Sequence, residues 1–319
     1  MTGGRLAVLA IGGNALIRDR KHESIPDQYD MVCSLAVEIA AMIESGWNVV
    51  VTHGNGPQVG FILRRSELSI HEVPPVPMDY AGADIQGAVG YMFVKALRNV
   101  FKRRRIKREA VAVVTQTVVD RNDPAFAKPS KPIGEFYSRE QAEERMRLEH
   151  WAMVEDAGRG WRRVVASPRP VRIIESGVIR HLVEGGYVVV AAGGGGIPVV
   201  ADEQGMLSGV AAVIDKDMAS AVVAAQIGAD LLVISTAVEK VLLNFGQPGQ
   251  RALDAMTVAE ARRYVAEGHF APGSMLPKIE ACIHFVEAGG REAIITCPDA
   301  LAAALDGRSG TRMTTAPFS

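Results

Sequence analysis

Three lysines carry the most chemical promise in this chain. Lys216 lies in VIDKDMAS, flanked by Asp215 and Asp217 after the apolar run Val210–Ile214. Lys278 closes GSMLPK, where the spacing predicts the first turn of a helix. A cation there opposes the helix dipole unless an anion sits beside it. Lys131 lies in KPSKPIG. Taken singly, each is an ordinary surface lysine, but the acids around Lys216 mark it as ion-paired. A lysine ammonium is a compact point charge suited to phosphate.

Three glycine turns add to this picture. AIGGN (Ala10–Asn14), THGNG (Thr52–Gly56) and AAGGGG (Ala191–Gly196) each follow an apolar run directly. In a parallel sheet such turns lie at the carboxyl ends of the strands, where open α/β folds bind ligands. Bare backbone there brings N–H groups close to an anion. One such turn is equally a tight strand-to-helix connection, whereas three on one edge point to a phosphate or carboxylate site. Lysines beside glycine turns suit phosphoryl transfer, in which positioning and charge neutralisation do most of the catalysis. The Walker sequence G-x-x-x-x-G-K-[ST] is excluded, because no lysine here follows a glycine. Gly54-x-Gly56-x-x-x-Gly60 resembles a dinucleotide fingerprint only loosely. Pro74, Pro75 and Pro77 stand where a second strand ending in an acid is required.

The elements that must position these residues alternate. Leu6–Ile11 reads as a strand buried on both faces, not as a signal peptide. A helix follows over Asp27–Glu44, then the strand Asn48–Thr52 and a helix opened by Pro57. A third helix is expected over Ala83–Arg104 and a strand over Ala110–Thr115. From Asp120 to Pro170 prolines and charges replace periodicity, which predicts an inserted, partly exposed subdomain. Beyond it are expected a helix near Glu175–Glu184, the strand Tyr187–Ala192, and a helix over Met218–Ile227 with Lys216 just before it. The strand Leu231–Ser235 comes next, then a helix opened by the capping box Thr257-x-x-Glu260. A helix after Ser274 and a last strand, Ala293–Thr296, complete the series. The pattern predicts an α/β fold, a three-layer αβα sandwich around a mainly parallel sheet.

Composition narrows the function. The chain has 319 residues, with 35 Lys plus Arg against 36 Asp plus Glu. Such balance argues against a dedicated binder of nucleic acid or membrane surface. The run Lys102–Arg108 fits a solvated helix end, where cations complement the dipole. No apolar run is long enough to span a bilayer. Cys33, Cys282 and Cys297 form no CxxC pair, as expected of small core residues in a reducing cytoplasm.

The motifs AIGGNAL, THGNGPQVG, KPSKPIG, EDAGRGWRRVVASPRP, GGGGIPV, AVIDKDMAS and HFAPGSMLPKIEA resemble those of carbamate kinase, in the amino-acid-kinase superfamily. They run in family order over almost the whole chain. The resemblance implies a single homodimeric amino-acid-kinase domain over residues 1–319, which exchanges a phosphoryl group between ATP and carbamate with Mg²⁺ on the nucleotide phosphates. Lys131, Lys216 and Lys278 match the family's phosphate-contacting lysines, and Asp217 the acid that orients them. Gly12, Gly13, Asn14, His53, Gly54, Asn55, Gly56, Gly194 and Gly195 match the acyl-substrate side. Asp215, Lys216, Thr236, Ala237, Phe245, Ala271, Gly273, Met275, Pro277 and Lys278 match the nucleotide side. The same resemblance divides the chain at about residues 208 and 209 into acyl-substrate and nucleotide halves. The insert, about 120–170, becomes a lid bearing Lys131. No metal ligand from the protein is implied, nor any nucleic-acid or membrane partner. His53 is expected to orient its turn rather than act as a base, because carbamate already carries a nucleophilic oxygen. Gly194 and Gly195 are expected to be bare so that backbone can pass close to the reacting groups. Trp151 and Trp161 are expected to anchor the packing of the insert.

The sequence departs from the family pattern in two places. Ala81 and Ile85 stand where the family has a cysteine and a small hydroxyl residue, and Asp84 where an apolar residue is common. Asp84 is expected either to cap the helix from Ala83 or to face the substrate. Ala237, Glu239 and Lys240 replace the usual residues of a loop that borders the nucleotide. Two rivals stay open: a superfamily kinase for another small carboxylate or amino acid, and a catalytically weak sensor.

Overall fold

The computed structural model describes residues 4–12, 16–17, 19, 21–155 and 160–316. The chain opens with β1 (Leu6–Ile11), α1 (Ile25–Glu44), β2 (Asn48–His53), α2 (Gly56–Leu68), α3 (Met78–Arg104) and β3 (Ala110–Ala112). It continues through β4 (Gln116–Val119), β5 (Lys131–Tyr137), α4 (Arg139–Glu149), β6 (Met153–Glu155), β7 (Trp161–Val165) and β8 (Pro170–Ile173). After α5 (Ser176–Glu184) come β9 (Val188–Val190), β10 (Ile197–Ala201) and β11 (Leu207–Gly209). The rest holds α6 (Lys216–Ile227), β12 (Leu231–Ser235), β13 (Val241–Leu243), β14 (Arg251–Leu253), β15 (Ala255–Thr257) and α7 (Val258–Ala266). It ends with α8 (Met275–Glu287), β16 (Glu292–Thr296), α9 (Leu301–Leu305) and β17 (Thr311–Thr314).

The main sheet has eight strands in the order β15-β17-β16-β12-β1-β2-β9-β3. Its pairings are parallel apart from β16 with β17. β1 is central, with Ala7 opposite Val49 of β2 on one side and Leu231 of β12 on the other. Side chains alternate across its pleat. Ala7, Leu9 and Ile11 enter one core with α1 and α3, whereas Val8 and Ala10 enter a second with α6 and α8. A strand apolar on both faces therefore needs helices on both sides, which makes three layers. Among the described residues no helix is long and apolar enough to cross a membrane.

Several boundaries differ from the sequence-based expectation. α1 starts at Ile25, two residues early, because Ser24 and Asp27 form a capping box. α3 starts at Met78 rather than Ala83, with Pro77 at its N-cap. The strand expected over Ala110–Thr115 ends at Ala112, and β4 then leaves for a second sheet, β11-β10-β4-β8. The strand expected over Tyr187–Ala192 is only Val188–Val190, since the chain turns at Ala192 with a left-handed φ of 48°. Ala293–Thr296 is not the last strand, because β17 returns antiparallel against β16. The insert contains regular structure that its composition hides: a three-stranded antiparallel sheet, β5-β7-β6, with α4.

Candidate active site

The site begins at the N-terminus of α6. Asp215 caps this helix: its Oδ1 accepts from the backbone N–H groups of Asp217 (3.0 Å) and Met218 (3.2 Å). Its Oδ2 accepts from Lys131 Nζ at 2.6 Å. Asp217, only 3% exposed, divides its oxygens between two lysines. Oδ1 accepts from Lys216, and Oδ2 accepts from Lys278 Nζ at 2.9 Å. Lys216 is thus the first residue of α6, not a residue before it, and its ion-pair partner is Asp217. Asp215 is turned toward Lys131 by its capping role. Two carboxylates thereby gather three ammonium groups from β5, α6 and α8.

Charge is held firmly here. Burial pushes the Asp217 carboxyl up, but Lys216 and Lys278 outweigh it and hold the group well below the usual carboxylate range. Asp215 is likewise lowered, with burial outweighed chiefly by Lys131. Burial lowers the Lys216 ammonium, Asp217 opposes that fall, and Lys278 adds to it. Ser220 ties α6 into β2: its hydroxyl bonds the Lys216 carbonyl at 2.6 Å and lies 2.6 Å from the Thr52 hydroxyl.

The glycine turns converge on neighbouring strand ends. Gly12 follows β1, and the Gly54 N–H bonds the Ile11 carbonyl at 3.0 Å, so the first two turns lie side by side. Gly13 and Asn14 lie outside the described residues. His53 is buried, and burial lowers its pKa to about 4, with a hydrogen bond to Gly54 opposing. The ring is therefore neutral, and Nδ1–H donates to the Gly54 carbonyl at 3.0 Å. Gly56 opens α2, and Asn55 precedes it as a buried N-cap residue.

The fold by itself requires the glycine quartet to be bare. Gly194, Gly195 and Gly196 have φ of +66°, +91° and +89°, which favour glycine. A Cβ at Gly193 would lie 2.4 Å from His53 Nε2, and at Gly194 1.9 Å from Asn55 Nδ2. At Gly195 it would meet Ile214 Cβ at 2.8 Å, and at Gly196 Thr117 Oγ1 at 2.0 Å. Protein groups fill the space. The N–H groups of Gly195 and Gly196 are also spent inside the turn, on the carbonyls of Ala192 and Gly193.

Sequence reasoning missed the residues that fix this turn. Buried Gln86 of α3 donates from Nε2 to the carbonyls of Thr115 (3.0 Å) and Gly193 (3.2 Å). Its Oε1 accepts from the Thr115 N–H at 2.7 Å. Thr117 Oγ1 donates to the Gly195 carbonyl at 2.7 Å, and Thr115 Oγ1 accepts from the Ala192 N–H at 3.0 Å. One signal was present for Gln86: a polar residue on a helix stripe continued by the apolar Val89, Phe93 and Leu97.

On the other side of the cluster, Thr236 follows β12 and its N–H bonds the Thr296 carbonyl at 2.8 Å. Ala237 is exposed beside it, and Phe245 is exposed in the β13–β14 turn. Ala271 and Gly273 lie in the exposed turn before α8; Met275 and Pro277 are half-buried in its first turn. None of these seven residues is bonded to the charged cluster, which α8 reaches through Lys278.

None of the residues that depart from the family pattern is bonded to that cluster. Asp84 is exposed in the second turn of α3, so it does not cap the helix. Ala81 and Ile85 are buried in the core beside α1. Glu239 accepts from the Ser309 hydroxyl, and Lys240 pairs with Asp254 at 2.6 Å. Among the described residues no group of three His, Cys, Asp or Glu side chains is placed to hold a metal ion.

Comparison with known proteins places this geometry. A model of the amino acid kinase family matches residues 5–297. The carbamate kinase-like protein YahI of Escherichia coli is 51% identical, covering 97% of this chain and 98% of that protein. Carbamate kinase of Thermococcus kodakarensis is 46% identical, covering 96% and 98%. The structure of carbamate kinase from Giardia lamblia bound to AMP-PNP superposes with a TM-score of 0.91. It is 40% identical over 98% of this chain and 99% of that one.

Proposed function

The chain belongs to the amino acid kinase family, and we propose that it is a carbamate kinase, which exchanges a phosphoryl group between ATP and a carboxylate oxygen of carbamate. The observation that carries this reading is the cluster, centred on buried Asp217, in which Asp217 and Asp215 present Lys216, Lys278 and Lys131 together. Such fixed charges favour the transition state of an in-line transfer, where negative charge spreads over the phosphoryl oxygens. The acceptor oxygen of carbamate needs no deprotonation. A neutral His53 committed to the Gly54 carbonyl fits that chemistry, since it acts on the turn and not on a proton.

All four carboxylate oxygens of Asp215 and Asp217 already accept hydrogen bonds. They suit the holding of lysine ammoniums better than the holding of a metal ion. In this reading Mg²⁺ arrives on the nucleotide phosphates as part of the substrate and adds to charge neutralisation there. The acyl side comprises the turns with Gly12, Gly13 and Asn14, with His53, Gly54, Asn55 and Gly56, and with Gly194 and Gly195. The nucleotide side comprises Asp215, Thr236, Ala237, Phe245, Ala271, Gly273, Met275 and Pro277, with Lys216 and Lys278 between the two. The chain works as a cytoplasmic homodimer, acyl half before about residue 208 and nucleotide half after it. The net direction is ATP synthesis from carbamoyl phosphate.

The test is a coupled assay for ATP formed from ADP and carbamoyl phosphate, with other acyl phosphates alongside. Activity with carbamoyl phosphate supports the reading. Activity only with another acyl phosphate transfers the chain to a different member of the superfamily. Ala81 and Ile85 are core residues, so these two departures offer that rival no polar contact.

A further inference from the structure

Gly60 lies in the interior of α2, where alanine would serve the helix better. A Cβ on Gly60 would lie 2.0 Å from Gly134 Cα and 2.6 Å from Gly134 N. Both are backbone atoms, which cannot swing aside as the end of a side chain can. Gly134 belongs to β5, three residues after Lys131, and has a φ of +70°. The crowding is one-sided, because a Cβ on Gly134 would meet Gly60 Cα at 3.5 Å, an ordinary contact. Helix and strand backbones thus cross with only hydrogens between them.

The strand is shaped for this crossing. The β5–β7 register shifts between Ile133 and Tyr137, and Arg162 donates to the Gly134 carbonyl at 3.1 Å. Such irregularities bend a strand and re-aim its side chains. Arg163 of β7 also reaches Glu67 of α2 at 3.5 Å, a second tie between the helix and the small sheet. Lys131 stands at the start of the strand so seated, and its ammonium meets Asp215 at 2.6 Å.

We propose that Gly60 is a positioning residue for Lys131: its missing side chain sets the depth at which β5 rests on α2, and so the reach of the lysine. The proposal rests on the phosphoryl-transfer reading above. A methyl group at position 60 must open the crossing by roughly 1.5 Å to restore carbon–carbon contact near 3.5 Å. Misplacement of a working group by about 1 Å costs on the order of 100-fold in rate.

The test compares Gly60→Ala with Gly134→Asn, asparagine being a residue that tolerates the left-handed region. Gly60→Ala is expected to lower kcat about 100-fold with KM for ADP unchanged and the fold intact, its melting temperature falling by only the few degrees that local overpacking costs. Gly134→Asn is expected to remain close to wild type. Helix propensity and backbone φ alone predict the reverse ranking. In a Lys131→Ala background, Gly60→Ala should add little further loss, since both changes act through one ammonium. Hydrogen exchange over residues 131–137 should be faster in Gly60→Ala. That arm uses no substrate, so it tests the crossing even if wild-type protein ignores carbamoyl phosphate, a result that would sink only the functional reading. Wild-type activity in Gly60→Ala, greater damage from Gly134→Asn, or multiplied losses in the double variant would overturn the proposal. So would collapse of the fold in Gly60→Ala, which would make the crossing a requirement of folding and not of lysine placement.

Discussion

Asp217→Asn is the sharpest perturbation of the site, because one side chain anchors two lysines. Asparagine keeps the shape but loses the charge, and its NH₂ group must face one of the two ammoniums. Asp217 is 3% exposed and both partners are largely buried. Breaking a buried pair by removing one partner costs about 3–5 kcal/mol, because the other charge is left uncompensated. Part of that cost is relieved if Lys216 gives up its proton, which burial already favours. Loss of one transition-state donor lowers kcat by about 10²–10³. With Lys216 and Lys278 both loosened, a fall between about 10² and 10⁴ is expected. Residual activity should rise as the pH is lowered, because acid restores the Lys216 ammonium. The coupled ATP assay between pH 6 and 9, beside thermal melting, reads both effects. A folded Asp217→Asn protein with kcat within tenfold of wild type would refute the anchoring role.

The other expectations are simpler. Lys216→Ala should lower kcat about 100-fold or more with a much smaller change in KM. Lys278→Ala should act similarly, and the double variant should lose less than the product of the two, as one phosphoryl group is gripped by both; a tenfold or smaller drop in kcat for Lys216→Ala counts against the assignment. Hydrogen exchange across β5, β6 and β7 should slow when ADP and a carbamoyl phosphate analogue are bound together, and equal exchange with and without them would remove the idea of a closing lid. His53 has a folded pKa of about 4 against roughly 6.5 when unfolded. Between those values only the unfolded chain takes up the proton, so the stability His53 contributes is complete above its unfolded pKa and is lost as the pH falls. Urea unfolding should show about 2 kcal/mol lost from this group between pH 7 and pH 5, an increment that His53→Gln abolishes; identical pH slopes in the two proteins would show that His53 is not held neutral.

The charged cluster was legible in the sequence because its members sit in local contexts that carry their own meaning. Lys216 between two acids and Lys278 in an early helix turn each pose an electrostatic problem that a nearby counter-charge solves. The distribution of partners was not legible. Asp215 is adjacent to Lys216 in sequence, yet its capping role turns it toward Lys131, 84 residues away. The partners of Gln86 and Thr117 were hidden for a similar reason, although the polar break in the α3 stripe marked Gln86 itself: both bond backbone of the glycine turn across more than 75 residues. The capping alternative for Asp84 arose because a helix start placed five residues late puts it near a cap it never approaches. β17 escaped notice because TRMT is short and carries no alternation strong enough to stand apart from a loop.

The central place of β1 has a consequence for how the chain comes into being. Its partner β2 is synthesised soon after it, but β12 begins some 220 residues later. At about 5–20 residues per second, that interval is on the order of 10–40 s on the ribosome. For all of it, LAVLAI presents one unpaired edge, and the core that receives Val8 and Ala10 lacks α8 throughout and α6 until the end. Long-range closure of this kind slows folding and prolongs exposure of apolar surface. The nascent protein therefore spends much of its synthesis with an entirely apolar central strand open to other chains, which gives chaperones a defined segment and a defined interval in which to act.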